Sequence, residues 1–212
     1  MPTERFYRLP KEKADTIKKA AVEEFKRVPP EEVSINKIIQ NADISRGSFY
    51  TYFEDKNDLF GWLMGDFIKN YRQFYVTALE KNGGDLWDVF DRVLIHTIEW
   101  VDEQGLVEIV GNMMKGNKFS EQFHCDLSQD CRMEEENRSY AELLYRRMDP
   151  KCCTLNLEEF QELLGMHVAS LVIALRLHFA NNANLEMIQA AYRRRMKILR
   201  YGACPGQEQT EF

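Results

Sequence analysis

The chain has 212 residues, 44% of them hydrophobic and 29% charged, which is enough apolar material for one large domain or two small ones. Its 28 Lys and Arg against 34 Asp and Glu leave a net charge of −6, which excludes a protein that is basic throughout and holds nucleic acid by bulk charge alone. No apolar run reaches the length of a bilayer span and the chain is polar and charged from Thr3 onward, so the expectation is a soluble cytoplasmic protein with no signal peptide and no membrane partner.

Residues 1–10 carry Arg5 and Arg8 without helical periodicity and read as a flexible arm, either reaching a minor groove or, as we read it, disordered. From Lys11 to Val28 the spacing of Ala14, Ile17, Ala20, Ala21, Phe25 and Val28 predicts a helix, ended by Pro29-Pro30. Ser34 is the natural N-cap of a second helix that runs to about Asn41, with Ile35, Ile38, Ile39 and Ala42 facing inward. Ala42-Asp43-Ile44 is a three-residue turn. Ser45 then caps a third short helix through Phe53, with Ile44 and Phe49 at the two positions of a hydrophobic staple. Phe49 and Phe53 share one face; Gly47, Ser48 and Thr51 lie opposite, flanked by Arg46 and Tyr50 on one side and Tyr52 on the other. A slim helix with small, hydroxylated and basic groups outside suits the DNA major groove, and two short helices joined by such a turn make a helix-turn-helix.

The run from Val33 to Phe60 resembles the TetR family of transcriptional regulators. Its signature is Ser45-Arg46-Gly47-Ser48-Phe49-Tyr50-Thr51-Tyr52-Phe53, followed by Lys56 and Leu59, and the likeness covers about residues 12–72. The family commonly has Gly where Asp43 stands, and Asp tolerates the left-handed backbone such a turn needs. The resemblance and the outward positions together imply a DNA-binding set of Ser34, Lys37, Ser45, Arg46, Gly47, Ser48, Tyr50, Thr51, Tyr52 and Lys56. Within it, Tyr50 and Lys56 are expected on phosphates, and Arg46, Ser48 and Thr51 on bases.

Asp55-Lys56-Asn57-Asp58 resembles an N-cap with an acidic third position, opening a helix to about Lys81. Asn82-Gly83-Gly84-Asp85 breaks it. Leu86, Val89, Phe90, Val93, Leu94, Ile98 and Val101 make the next stripe, followed after Gly105 by a short apolar segment to Met114. One helix is expected from about Ser120 to Met148, its charged centre from Arg132 to Arg138 being open to a break. Asn156 with Glu159 forms a capping-box start for a helix that is apolar nearly all round to Phe179, and Asn184 precedes a last helix to about Tyr201.

No segment alternates like a strand, so the expected fold is all-α. Its parts are an N-terminal three-helix head at 1–54 with the arm at 1–10, a connecting helix at 55–82, a larger helical regulatory and dimerisation domain at 83–203, and a tail at 204–212. Apolar residues all round the penultimate helix predict burial on two sides, one against a second copy of the chain, with the face around Leu171 and Val172 as the candidate; the alternative is a core helix within the monomer. The family pairs its last two helices in this way.

Trp100, Met113, Phe123, Tyr140 and His167 are the candidate lining of a pocket for an unidentified small-molecule effector. Five cysteines at 125, 131, 152, 153 and 204 have no repeated metal spacing and read as reduced thiols. A Gly-rich phosphate loop, a nucleophile elbow and His-Glu-x-x-His are all missing, and Glu134, Glu135 and Glu136 sit in a charge run, so no catalytic residue, metal or cofactor is expected. The function expected is a repressor released from palindromic double-stranded DNA when the effector binds. The competing readings are a helical scaffold or adaptor, and an activator or nucleoid-type DNA binder without inducer.

Overall fold

The computed structural model describes residues 2–116 and 134–202. The described residues are α-helical apart from turns and one 3-10 segment, in accord with the all-α expectation. In chain order the helices are α1 (Glu4–Tyr7), α2 (Lys11–Arg27), α3 (Ile35–Asn41), α4 (Arg46–Tyr52), α5 (Lys56–Lys81), α6 (Leu86–Glu103), α7 (Val107–Lys115), α8 (Glu134–Arg147), α9 (Leu157–Phe179) and α10 (Leu185–Tyr201). The chain divides into two compact units, Met1–Tyr71 with Val101–Ser120, and Arg72–Trp100 with Glu121–Phe212. The division does not follow the sequence, because α5 begins in one unit and ends in the other while α7 joins the N-terminal head.

Local rules set the helix ends. Val28, held extended ahead of Pro29, stops α2. Ser34 accepts the Lys37 amide, Ser45 the Ser48 amide, and Asp55 the amides of Asn57 and Asp58 at 2.8 Å each. The capping box of Asn156 and Glu159 is closed in both directions, at 2.9 and 3.1 Å, and Asn184 accepts from Met187. Each such cap contributes about 1 kcal/mol, which matters most for the seven-residue helices α3 and α4, too short to persist alone.

In the head, Ile17, Ala21, Phe25, Ile38, Phe49, Phe53 and Leu59 form the fully buried core. Each Phe contributes about 1.5–3 kcal/mol by leaving water. Residues 2–10 are folded, against the expectation of a loose arm. Phe6 is 3% exposed, with its ring 4.8 Å from that of Phe53 and 4.9 Å from that of Trp62. Residue Phe6 is the apolar anchor that outweighs the polar composition around it.

In the second unit, Tyr75, Leu79, Leu86, Val89, Phe90, Val93, Phe160, Leu175 and Tyr192 are buried. The glycine pair after α5 does more than end a helix. Gly84 has φ +89°, and its carbonyl accepts the Asp149 amide at 2.9 Å, so the turns after α5 and α8 are joined backbone to backbone. Helix α8 begins at Glu134, and the part of the expected helix from about Ser120 to residue 133 lies outside the described residues. Helix α9 is long and apolar enough to cross a membrane by length and composition, with a mean hydropathy of 1.4, which corrects the expectation that no run would be. The cause is that its charges, Glu158, Glu159, Glu162 and Arg176, lie near its two ends. Only a third of that stretch is buried. Leu171 is 2% exposed and therefore belongs to the core of the unit, not to an open face; Val172 is half-buried.

Candidate nucleic-acid interface

The head is built so that α3 and α4 are locked to each other and to α2. Glu24 on α2 is 4% exposed, and its carboxylate takes the guanidinium of Arg27 at 2.6 and 2.8 Å and the backbone amide of Ser34 at 3.1 Å. The hydrogen bond from Arg27 holds this carboxyl below its ordinary value, against the opposing pull of burial. The same residue thus anchors the first turn of α3. Asp43 adopts φ +48° in the turn, the left-handed geometry its side chain tolerates. Across the turn the Arg46 guanidinium donates to the Asn36 side chain at 3.2 Å.

On α4 the outward residues are ordered among themselves. Ser45 caps the helix and its hydroxyl meets that of Ser48 at 2.9 Å, while the Thr51 hydroxyl donates to the Gly47 carbonyl at 2.9 Å. Arg46 lies over the ring of Tyr50, 5.7 Å from its centroid, and Tyr50 is 46% exposed. A Cβ at Gly47 would meet nothing nearer than Ser45 Oγ at 3.8 Å, so the backbone there is open to close approach. Phe49 and Phe53 fix the opposite face in the core. Ser34 and Lys37 stand on the first turn of α3, Lys37 exposed.

Two members of the expected set are placed differently. Tyr52 is 9% exposed, its ring edge-on to Phe6 at 6.1 Å, so α1 covers the flank that the helical wheel leaves outside. Lys56 turns its ammonium to the carbonyls of Glu31 and Val33, tying the start of α5 to the 3-10 turn Pro30–Glu32. It braces the head from within, at the start of the long helix. Sequence reasoning missed α1 altogether. Thr3 donates its amide to the Tyr52 carbonyl at 2.9 Å and its hydroxyl to the Thr51 carbonyl at 2.7 Å, occupying carbonyls that a helix end leaves open. The one signal was an isolated Phe among arginines.

Residues 17–61 match the family profile described as "Bacterial regulatory proteins, tetR family". The N-terminal segment of the chain is therefore similar to the DNA-binding domain of that family. The profile covers the helix-turn-helix and the α2 and α5 segments that brace it. Over 77 residues the chain is 34% identical to the uncharacterized HTH-type transcriptional regulator YdgC of Bacillus subtilis (strain 168), a match that spans 36% of this chain and 40% of that relative. Two solved TetR regulators are similar along most of their length. The one from Chloroflexus aurantiacus J-10-FL is 22% identical, covering 95% of this chain and 98% of its own, with a TM-score of 0.44. The other, from Rhodococcus sp. RHA1, is 13% identical over 88% of this chain and 94% of its own, at a TM-score of 0.49.

The expected effector residues are distributed unevenly. Met113 is buried in the first unit, while Trp100, Tyr140 and His167 belong to the second, and Phe123 lies outside the described residues. Tyr140 donates its hydroxyl to the Arg72 carbonyl at 3.2 Å, with the Arg72 guanidinium over its ring. His167 is fully buried and engaged. Its ring stacks on Phe90 at 3.6 Å, Nε2 meets the Tyr75 hydroxyl at 2.6 Å, and Nδ1 lies 3.3 Å from Met196 Sδ and 3.4 Å from the Tyr192 hydroxyl. Because Tyr192 donates to the Phe90 carbonyl at 2.8 Å, it faces His167 as an acceptor, so Nδ1 carries the proton and Nε2 accepts from Tyr75. Burial lowers the pKa of this ring to about 3, so it is a neutral core group.

Proposed function

We propose that this protein is a transcriptional repressor that binds duplex DNA by laying α4 in the major groove. The observation that carries the reading is a capped helix whose buried Phe49 and Phe53 turn Ser45, Arg46, Gly47, Ser48, Tyr50 and Thr51 outward together. Arg46, Ser48 and Thr51 serve base edges and Tyr50 a phosphate. Lys56, bound to backbone carbonyls, acts by holding the head in shape. The protein works in the cytoplasm as a homodimer, so that two heads about 34–36 Å apart, or a multiple of that spacing, meet a palindromic operator.

The dimer surface is proposed on α9 and α10, which leave Met166, Ile173, Met187 and Ile198 between 48% and 73% exposed. Exposed Glu158, Glu159 and Glu162 on α9, and Arg193, Arg194 and Lys197 on α10, supply opposite charges for a partner related by twofold symmetry. A small-molecule effector held by the regulatory part releases the operator. A typical coupling of about 1–3 kcal/mol weakens DNA binding roughly 5- to 150-fold.

The test is selection of bound duplexes from a randomised pool by the purified protein, followed by titration of the enriched duplex. Enrichment of a palindrome, with Arg46→Ala relaxing its sequence preference, is expected. Recovery of no preferred sequence refutes the reading.

A further inference from the structure

The shallow, open cleft between α1 and α4 is lined by Thr3, Glu4, Arg5, Arg8, Tyr50 and Thr51 and has a volume of about 540 Å³. Two of these, Tyr50 and Thr51, belong to the outward side of α4, and two others are arginines from a segment that carries no part of the helix-turn-helix. We propose that this cleft seats a DNA backbone phosphate, held by Arg5 and Arg8 beside the base-reading face. The proposal rests on the DNA-binding reading above.

Position argues for a phosphate over a base. A helix is about 10–12 Å across and the major groove about 12 Å wide, so α4 fills the groove, and a group packed against its flank faces the sugar-phosphate strand. Segment α1 is packed there. Its place is fixed by the two hydrogen bonds from Thr3 to the Thr51 and Tyr52 carbonyls and by Phe6 in the core, so the arginines are presented by a held backbone instead of a free chain. The guanidinium fork suits phosphate oxygens in a way a point charge does not.

Charge supplies a second argument. Glu4 is the only acid lining the cleft, and its carboxylate pairs with Arg8 at 2.8 Å while both side chains are more than three-quarters exposed. Water screens such a pair, which leaves it easy to exchange for a better anion. A phosphate replaces the Glu4 carboxylate on Arg8, so Glu4 restrains binding in the free protein.

The experiment titrates the full chain against two labelled duplexes, one of random sequence and one enriched from a randomised pool, between 50 and 200 mM KCl. Arg5→Ala with Arg8→Ala is expected to flatten the slope of log affinity on log salt by about 0.9, the contribution of one phosphate, so that the double variant loses about 3.5-fold less affinity across that range than the parent. The ratio of affinities for the two duplexes stays as it was. Glu4→Gln tightens binding to both duplexes equally, and Phe6→Ala, which releases α1 while keeping both arginines, flattens the slope as the double variant does. An unchanged slope in the double variant overturns the proposal, as does a change of sequence preference with the slope intact or a Phe6→Ala variant with the parental slope. If the unmodified protein binds neither duplex, the DNA-binding reading falls and takes this one with it; if it binds both and only the α1 variants are silent, the cleft alone is refuted.

Discussion

The neutral histidine at the centre of the second unit makes stability depend on pH in a window that extends above the range of ordinary carboxylates. His167 has a folded pKa of about 3 and an ordinary unfolded value of about 6.5. Between those values only the unfolded chain takes up the proton, so acid favours unfolding. The stabilisation is complete above about pH 6.5 and drains away as pH falls toward 3, for a total of about 5 kcal/mol at 1.36 kcal/mol per unit. From pH 7.5 to 5.0 the loss works out at about 2 kcal/mol, or roughly 1 M in a urea midpoint. His167→Gln removes the titration while leaving an acceptor for the Tyr75 hydroxyl. Urea unfolding of both proteins by circular dichroism, at one fixed protein concentration, is expected to show the parent losing about 2 kcal/mol more than the variant over this interval. If both lose the same amount, the ring is reached by water or protonated in the fold, and the assignment of a dry, neutral core is refuted.

Gly84→Ala is expected to cost about 2–5 kcal/mol in urea unfolding, since a methyl at φ +89° would press on the Asp149 amide and lie 3.0 Å from the Arg147 carbonyl. Gly83→Ala is the control: with φ +73° and nothing within 4 Å, it should cost only about 1–2 kcal/mol of backbone strain. Glu24→Gln should destabilise the head by about 1–3 kcal/mol at neutral pH, because the bond to Arg27 loses its charge. A depressed carboxyl stabilises above its unfolded value and ceases to do so as pH falls through its folded one, so this difference must shrink as pH falls below the ordinary glutamate range; a difference that persists undiminished in acid would show that shape, not charge, is at work. Ile173→Asp on the open side of α9 should give a monomer by sedimentation at micromolar concentration, and an unchanged dimer would move the interface elsewhere.

What was legible in the sequence was what is decided locally. Ser34, Ser45, Asp55, Asn156 and Asn184 each fixed a helix start through their own side chains, and Asp43 announced its turn by tolerating left-handed backbone. The helices of the head followed from them. What escaped depended on partners far along the chain. Phe6 has no periodic neighbours, and its meaning appears only when Phe53 and Trp62 are beside it. Tyr52 differs from its helical-wheel position for the same reason, because the segment that covers it has no periodicity of its own. Lys56 carries the right residue type for a phosphate, yet carbonyls from the 3-10 turn claim its ammonium. His167 passed for a ligand group until Tyr75, Phe90 and Tyr192, from other helices, enclosed it.

The bond between Thr3 and the end of α4 bears on whether this reading head can be transplanted. A seven-residue helix is far below the length that persists in water, so α4 owes its shape to what surrounds it. Some of that support comes from 48 residues upstream, outside any boundary drawn around a helix-turn-helix. A graft that carried only residues 34–53 onto another scaffold would bring the letters of the recognition helix with its last carbonyls open and the flank of Tyr52 bare. Portability therefore requires residues 2–9 to travel with it.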